Sequence, residues 1–237
     1  PYRILFILSH MRSGSSLLTH ILNSNPEIIG YGETHINYAS EVDFKKLMFK
    51  VYWQLKNLAM NHQYILDKIL HNHKFLDDNF LISEKVYIIF LLREPQKTLP
   101  SIIGIKPHWS EEKALNYYLE RLSMLEKYAK LINNKKHSLL VRYDQILNHS
   151  ESVFEALRNW LETQTEFSEQ YQVLKTTGMK GIGDSSSNIK AGRIIRNSQK
   201  LDSKFSQELV ETAMPYFNQC SQTLSQYCRT IDPLSLK

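Results

Sequence analysis

The chain has 237 residues, 42% of them apolar and 22% charged, with 29 Lys and Arg against 24 Asp and Glu for a net charge of +5. That length and balance predict one sizeable domain over 1–237 and exclude wholesale disorder. The positive surplus is small and suits an anionic ligand. Without aromatic–basic interleaving or a groove-reading motif it argues against nucleic acid as a partner.

In chain order, an apolar run at residues 2–8 predicts the first strand, and residues 15–23 a helix closed by Asn25-Pro26. A short strand at 28–31 runs into Gly32-Glu33-Thr34-His35. Residues 39–62 are expected to be mostly helical, with Val42, Leu47, Val51, Leu55 and Leu58 near helical spacing. The aromatics Tyr38, Phe44, Phe49, Tyr52 and Trp53 read as core of that region, with a lipophilic pocket as the alternative. Residues 65–70 fit a short strand or a helix end. The strongest strand, 86–92, stops at Arg93-Glu94-Pro95 and is far too short to span a bilayer.

Ser110 caps a helix at 111–133 that carries Leu115, Leu119, Leu122 and Leu125 on one face. A core strand at 138–141 ends in Arg142-Tyr143-Asp144, and a helix follows at 151–161. Residues 176–198 are rich in Gly and Ser and include Lys180, Lys190, Arg193 and Arg196, which predicts a mobile loop. An amphipathic helix closes the chain at 203–219. Cys220 and Cys228 make neither a disulfide framework nor a zinc motif and are expected to be reduced. With no membrane segment and a strand at the start instead of a signal peptide, the expected location is the cytoplasm, an upstream anchor remaining open.

Strands that are apolar throughout and alternate with helices predict an α/β fold with a parallel sheet covered on both faces. In such sheets ligands sit beyond the carboxyl ends of the strands. Residues 12–16, 32–35, 93–101 and 142–144 therefore belong on one rim. A small-residue loop, Arg12-Ser13-Gly14-Ser15-Ser16, between a strand and a helix leaves the helix's first N–H groups aimed at one point, which favours a phosphate-type anion. Leu17 follows Ser16 where the nucleoside-triphosphate P-loop has its Lys sequence, so a kinase-like phosphotransferase is the weaker alternative and an anion-binding module a third.

Arg12-Ser13-Gly14-Ser15-Ser16 resembles the 5′-phosphosulfate loop of sulfotransferases that use 3′-phosphoadenosine 5′-phosphosulfate. Leu91-Leu92-Arg93-Glu94-Pro95 with Ser101 resembles that family's 3′-phosphate motif. The pattern is most similar to the tyrosylprotein sulfotransferase-like and bacterial branch, and it extends with gaps over most of the chain. The resemblance implies a P-loop-type three-layer α/β/α fold around a central parallel sheet. It also implies transfer of a sulfuryl group to a hydroxyl, with 3′,5′-adenosine bisphosphate (PAP) as the other product and no metal.

On that resemblance Glu33 takes the role of catalytic base, with His35 as its nearest competitor. Arg12 and Lys68 stabilise the transferring group. His71 and His73 stay open as alternative bases, because cytosolic members use a His in that region; as a metal pair they lack further ligands. Tyr143 falls near the adenine, and Lys190 and Arg193 resemble the late basic loop that reaches the 3′-phosphate. The acceptor class stays open among small alcohols, carbohydrates, peptides and carrier-bound chains, as does the oligomeric state.

Overall fold

Apolar side chains on both faces of β1 (Arg3–Ser9) fix the middle of the fold. The structure, a computed structural model, describes residues 2–57, 59–178, 187–196 and 205–231. On one face, Ile4, Phe6 and Leu8 pack with α2 (Asp43–Leu55), α4 (Glu111–Ile132) and α8 (Gln207–Tyr227). On the other, Leu5 and Ile7 pack with α1 (Ser15–Asn23) and α6 (Ser150–Leu161). Each such side chain contributes roughly 1.5–3 kcal/mol of burial free energy, so the two-sided strand anchors three layers.

The sheet has five parallel strands in the order β2-β3-β1-β4-β5, adding β2 (Ile28–Ile29), β3 (Tyr64–Ile69), β4 (Val86–Leu92) and β5 (Ser138–Arg142). This is the expected α/β architecture, with the topology of a P-loop-type domain. From β1 the chain leaves toward β2, and from β4 it leaves toward β5. Their carboxyl ends therefore flank the switch point where such sheets bind ligands.

Several expected elements differ. The undecided segment after residue 64 is a core strand: Asp67 and Lys68 lie inside β3 and are both buried, so their charges disguised its apolar run. Within the expected helical stretch 39–62 only Asp43–Leu55 is helix, and Leu58 lies outside the described residues. That helix buries Phe44, Leu47, Val51 and Tyr52, while Val42, Phe49 and Trp53 face outward, at 67%, 60% and 86% exposure. Phe49 and Trp53 are thus not core.

Pro95 begins a helix, α3 (Pro95–Ile105), because proline at the first helical position forfeits only an N–H that has no intrahelical partner. Tyr143 opens the short α5 (Tyr143–Asn148). The last helix runs from Gln207 to Tyr227, later and longer than expected, and residue 203 lies outside the described residues. Of the expected loop 176–198, residues 179–186 and 197–198, with Lys180, also lie outside them. Residues 187–190 form α7 (Ser187–Lys190). Ser110 caps α4 by accepting from the Lys113 amide, and Cys220 and Cys228 are buried free thiols. Among the described residues no helix is long and apolar enough to cross a membrane.

Candidate active site

The loop leaving β1 is held from beneath by His10, which is fully buried. Its Nε2 accepts the Arg93 amide at 3.2 Å, so its Nδ1 carries the proton and donates to the Met11 carbonyl at 2.9 Å. Burial pushes this imidazole down to about 3, and it stays neutral. The residue thereby ties the end of β1 to the end of β4.

Gly14 precedes α1 at φ 93°, in the left-handed region that favours glycine. A Cβ at this position would overlap the ring of Tyr143. Among the described residues no side chain caps α1, so its opening amides face the loop with the positive end of the helix dipole. Ser13 is fully buried, and its Oγ has no hydrogen-bond partner among the described residues. An orphaned hydroxyl beside an uncapped helix start fits a bound anion.

The second half of the cradle comes from β4 and α3. Arg12 Nε donates to Ser101 Oγ at 2.8 Å, and Arg93 Nη1 donates to the Arg12 carbonyl at 2.9 Å. The Arg93 guanidinium lies 4.4 Å from the centroid of the Tyr143 ring. Burial lowers the Arg93 pKa, and its Nε has no partner among the described residues. Gly14, Tyr143, Arg93, Arg12 and Ser101 thus form one connected wall. It has unspent donors on both arms.

Between β2 and β3 lies the carboxylate. Glu33 Oε1 is 3.5 Å from Lys68 Nζ, and that ammonium donates to Ser16 Oγ at 3.3 Å. Both side chains are shielded, with Lys68 at 2% and Glu33 at 16% exposure. The segment carrying Glu33 is held by Asp67, a carboxylate with no solvent access. Asp67 accepts the Thr34 amide and hydroxyl at 2.9 and 2.6 Å, the Tyr38 hydroxyl at 2.6 Å and the Lys68 amide at 2.9 Å. Burial still raises its pKa against these bonds.

The structure therefore brings together Arg12, Ser13, Gly14, Ser15, Ser16, Glu33, Lys68, Arg93, Ser101 and Tyr143. His35 is exposed, at φ 59°, one residue past Thr34. His71 and His73 stack with centroids 5.5 Å apart, and His71 is 5.7 Å from the Tyr117 ring. Burial, with positive neighbours second, pushes His71 down to about 4. Lys190 and Arg193 are exposed and form no hydrogen bond or ion pair with the cradle among the described residues. Arg193 instead bridges Gln170 and borders an open hollow of about 760 Å³ with Ser24, Ser168 and Tyr171, which no cradle residue lines.

Three contributors were missed in the sequence: His10, Asp67 and Arg121. Arg121 is fully buried and donates to the carbonyls of Ser9 and Ile69 and to Asn72 Oδ1, at 2.8, 2.7 and 2.8 Å. A guanidinium cannot shed its charge at ordinary pH, so it adds a fixed positive field at the ends of β1 and β3. The available signal was a lone Arg among Tyr118, Leu122 and Leu125 on the apolar face of a helix.

The chain has the sulfotransferase fold. It superposes on the sulfotransferase domain of the curacin biosynthetic pathway with a TM-score of 0.57 at 14% identity, covering 97% of this chain and 99% of that one. The sulfotransferase domain of the Synechococcus PCC 7002 olefin synthase gives 0.52 at 18% identity, covering 90% and 95%. Mouse sulfotransferase SULT7A1, solved with PAP, gives 0.52 at 13% identity, covering 95% and 88%. No family model and no curated protein sequence matches the chain. Among the described residues no cluster of three or more His, Cys, Asp or Glu forms a donor set for a metal ion.

Proposed function

We propose that this chain is a sulfotransferase that moves the sulfuryl group of 3′-phosphoadenosine 5′-phosphosulfate to an acceptor hydroxyl. One observation carries the reading: two anion-suited arms, at the start of α1 and at Arg93 with Ser101, meet a shielded Glu33–Lys68 pair on one rim. A single phosphate needs one such arm. A nucleotide phosphorylated at both ends of its ribose needs two.

The orphaned Ser13 Oγ and Arg93 Nε fit such a ligand, with the loop Ser13–Gly14–Ser15–Ser16 holding the 5′ side and Arg93 and Ser101 the 3′-phosphate. Tyr143, packed on Gly14 and under the Arg93 guanidinium, orients that fork. When bound, the donor supplies an electrophilic sulfur attached to a good phosphate leaving group. A bond forms from the acceptor oxygen to sulfur as the sulfur–oxygen bond to that phosphate breaks, and the acceptor's proton passes to Glu33. Lys68, within reach of Glu33 and Ser16, and Arg12 offset negative charge as it moves to the leaving oxygen. Asp67 keeps the Glu33 segment in place through Thr34 and Tyr38.

Calorimetric titration with PAP and with ATP tests the reading. Saturable binding of PAP, tighter than that of ATP, is expected. Binding of ATP with none of PAP overturns it.

A further inference from the structure

A second cluster adjoins Glu33 and is not used by the donor cradle. Met11, Leu70, Ile102 and Ala114 form a small buried apolar floor, with Trp109 and Tyr117 packed partly exposed against it. Tyr117 is fixed at both ends of its hydroxyl: it accepts the Met11 amide and donates to the Leu70 carbonyl, each at 2.8 Å. These two bonds seat it next to the residue preceding Arg12 and two residues past Lys68, at the end of β3 that carries the Glu33 pair. The rings of His71 and Trp109 flank it, at 5.7 and 6.0 Å. His73 stacks on His71, and Lys113 Nζ lies 5.0 Å from the Trp109 ring.

Lys74 and Lys106 are half-buried and Lys113 is exposed, and none has a carboxylate within 4 Å among the described residues. By contrast Lys46, Lys85, Lys97, Lys127 and Lys130 are each paired. The main charges acting on His71 come from His73, Arg121, Lys74 and Lys106. Asp78 pairs with Lys127, and Glu111 accepts the Ser206 amide. Lys74 and Lys106 belong to the turns that carry His71 and Trp109, the Lys74 amide donating to the His71 carbonyl at 3.4 Å and the Trp109 amide to the Lys106 carbonyl at 2.9 Å. Cations without a partner carboxylate suit a ligand that brings its own anion.

We propose that this shelf is the acceptor subsite and that it selects acceptors bearing an oxyanion, a carboxylate or phosphate, on an apolar or aromatic body. The body lies on Tyr117, His71 and Trp109, its hydroxyl reaches Glu33, and its oxyanion sits between Lys74 and Lys106. This assignment rests on the sulfuryl-transfer reading for the hydroxyl's role, but the binding it requires is measurable separately.

The probes are 3-(4-hydroxyphenyl)propanoate, 2-(4-hydroxyphenyl)ethyl phosphate, tyramine and 4-ethylphenol. Each is titrated into the protein with and without PAP while the imidazole resonances of His71 and His73 are followed by NMR. Either anionic phenol should bind about tenfold or more tightly than the cationic or neutral one. The variant K74Q/K106Q should erase that preference and leave PAP affinity unchanged. Tyramine or 4-ethylphenol binding as tightly as both anions, no saturable shift with either anion, or a preference that survives K74Q/K106Q overturns the proposal. Failure of PAP alone to bind counts against the sulfuryl-transfer reading instead.

Discussion

Lys68 Nζ lies 3.5 Å from Glu33 Oε1 and donates to Ser16 Oγ, joining the carboxyl end of β3 to the loop after β2 and to the first turn of α1. One ammonium thus touches both the proposed base and the proposed anion cradle. With Lys68 replaced by Met, which keeps the stem but not the charge, kcat is expected to fall by about 10²–10³. PAP affinity should change much less, because the amides of α1 and the Arg93 arm remain. Steady-state kinetics beside a PAP titration check the split.

Arg93 spends one nitrogen on the Arg12 carbonyl and its face on Tyr143, leaving Nε for a ligand. Arg93→Ala should weaken PAP by about 1.5–3 kcal/mol, the worth of a charged hydrogen-bonding group. Arg93→Lys should recover only part of this, since a point charge cannot replace the fork. Calorimetry on the two variants gives the comparison.

Gly14 faces two demands at once, a φ of 93° and contact with the Tyr143 ring. Gly14→Ala is therefore expected to abolish measurable PAP binding and lower the thermal midpoint. In a Tyr143→Ala background the same change should cost less, because only the backbone strain remains. Thermal unfolding of the four proteins in this cycle measures the difference.

Much of this cradle was legible in the chain. The apolar run before Arg12 and the small residues through Ser16 declare a strand and a turn into a helix by residue type alone, and Arg93 follows the strongest strand. What escaped was polar chemistry hidden inside apolar elements. Lys68 was read as a site residue, but with Asp67 it breaks the hydrophobic run that would mark β3 as a core strand, and Asp67, buried and bonded to Thr34 and Tyr38, went unread. Arg121 interrupts the inner face of α4 and donates to the carbonyls of Ser9 and Ile69. Pro95 reads as a stop by composition and serves as a helix start by position. Phe49 and Trp53 misled in the other direction: α2 fills its core stripe with Phe44, Leu47 and Val51 and turns the two larger rings outward.

Buried His10 predicts a pH dependence of stability. Its folded pKa is about 3 against about 6.5 for an ordinary imidazole, so between these values the unfolded chain binds a proton that the folded one does not. Stability is therefore full above about pH 6.5 and lost as pH falls toward 3, at about 1.4 kcal/mol per pH unit for one proton. His71, lowered to about 4, adds in the same direction. Urea unfolding of wild type and His10→Gln at pH 7, 6 and 5 should show a shallower loss in the variant.

The central claim is sulfuryl transfer with Glu33 as the base. Its most direct measurement is an acceptor screen with radiolabelled 3′-phosphoadenosine 5′-phosphosulfate, run in parallel on wild type and Glu33→Gln. Wild type should label at least one hydroxyl acceptor. Glu33→Gln should lose about 10²–10⁴ of that rate while binding PAP as before. Label transfer at the wild-type rate in Glu33→Gln, or transfer by neither protein to any acceptor despite PAP binding, would contradict the account.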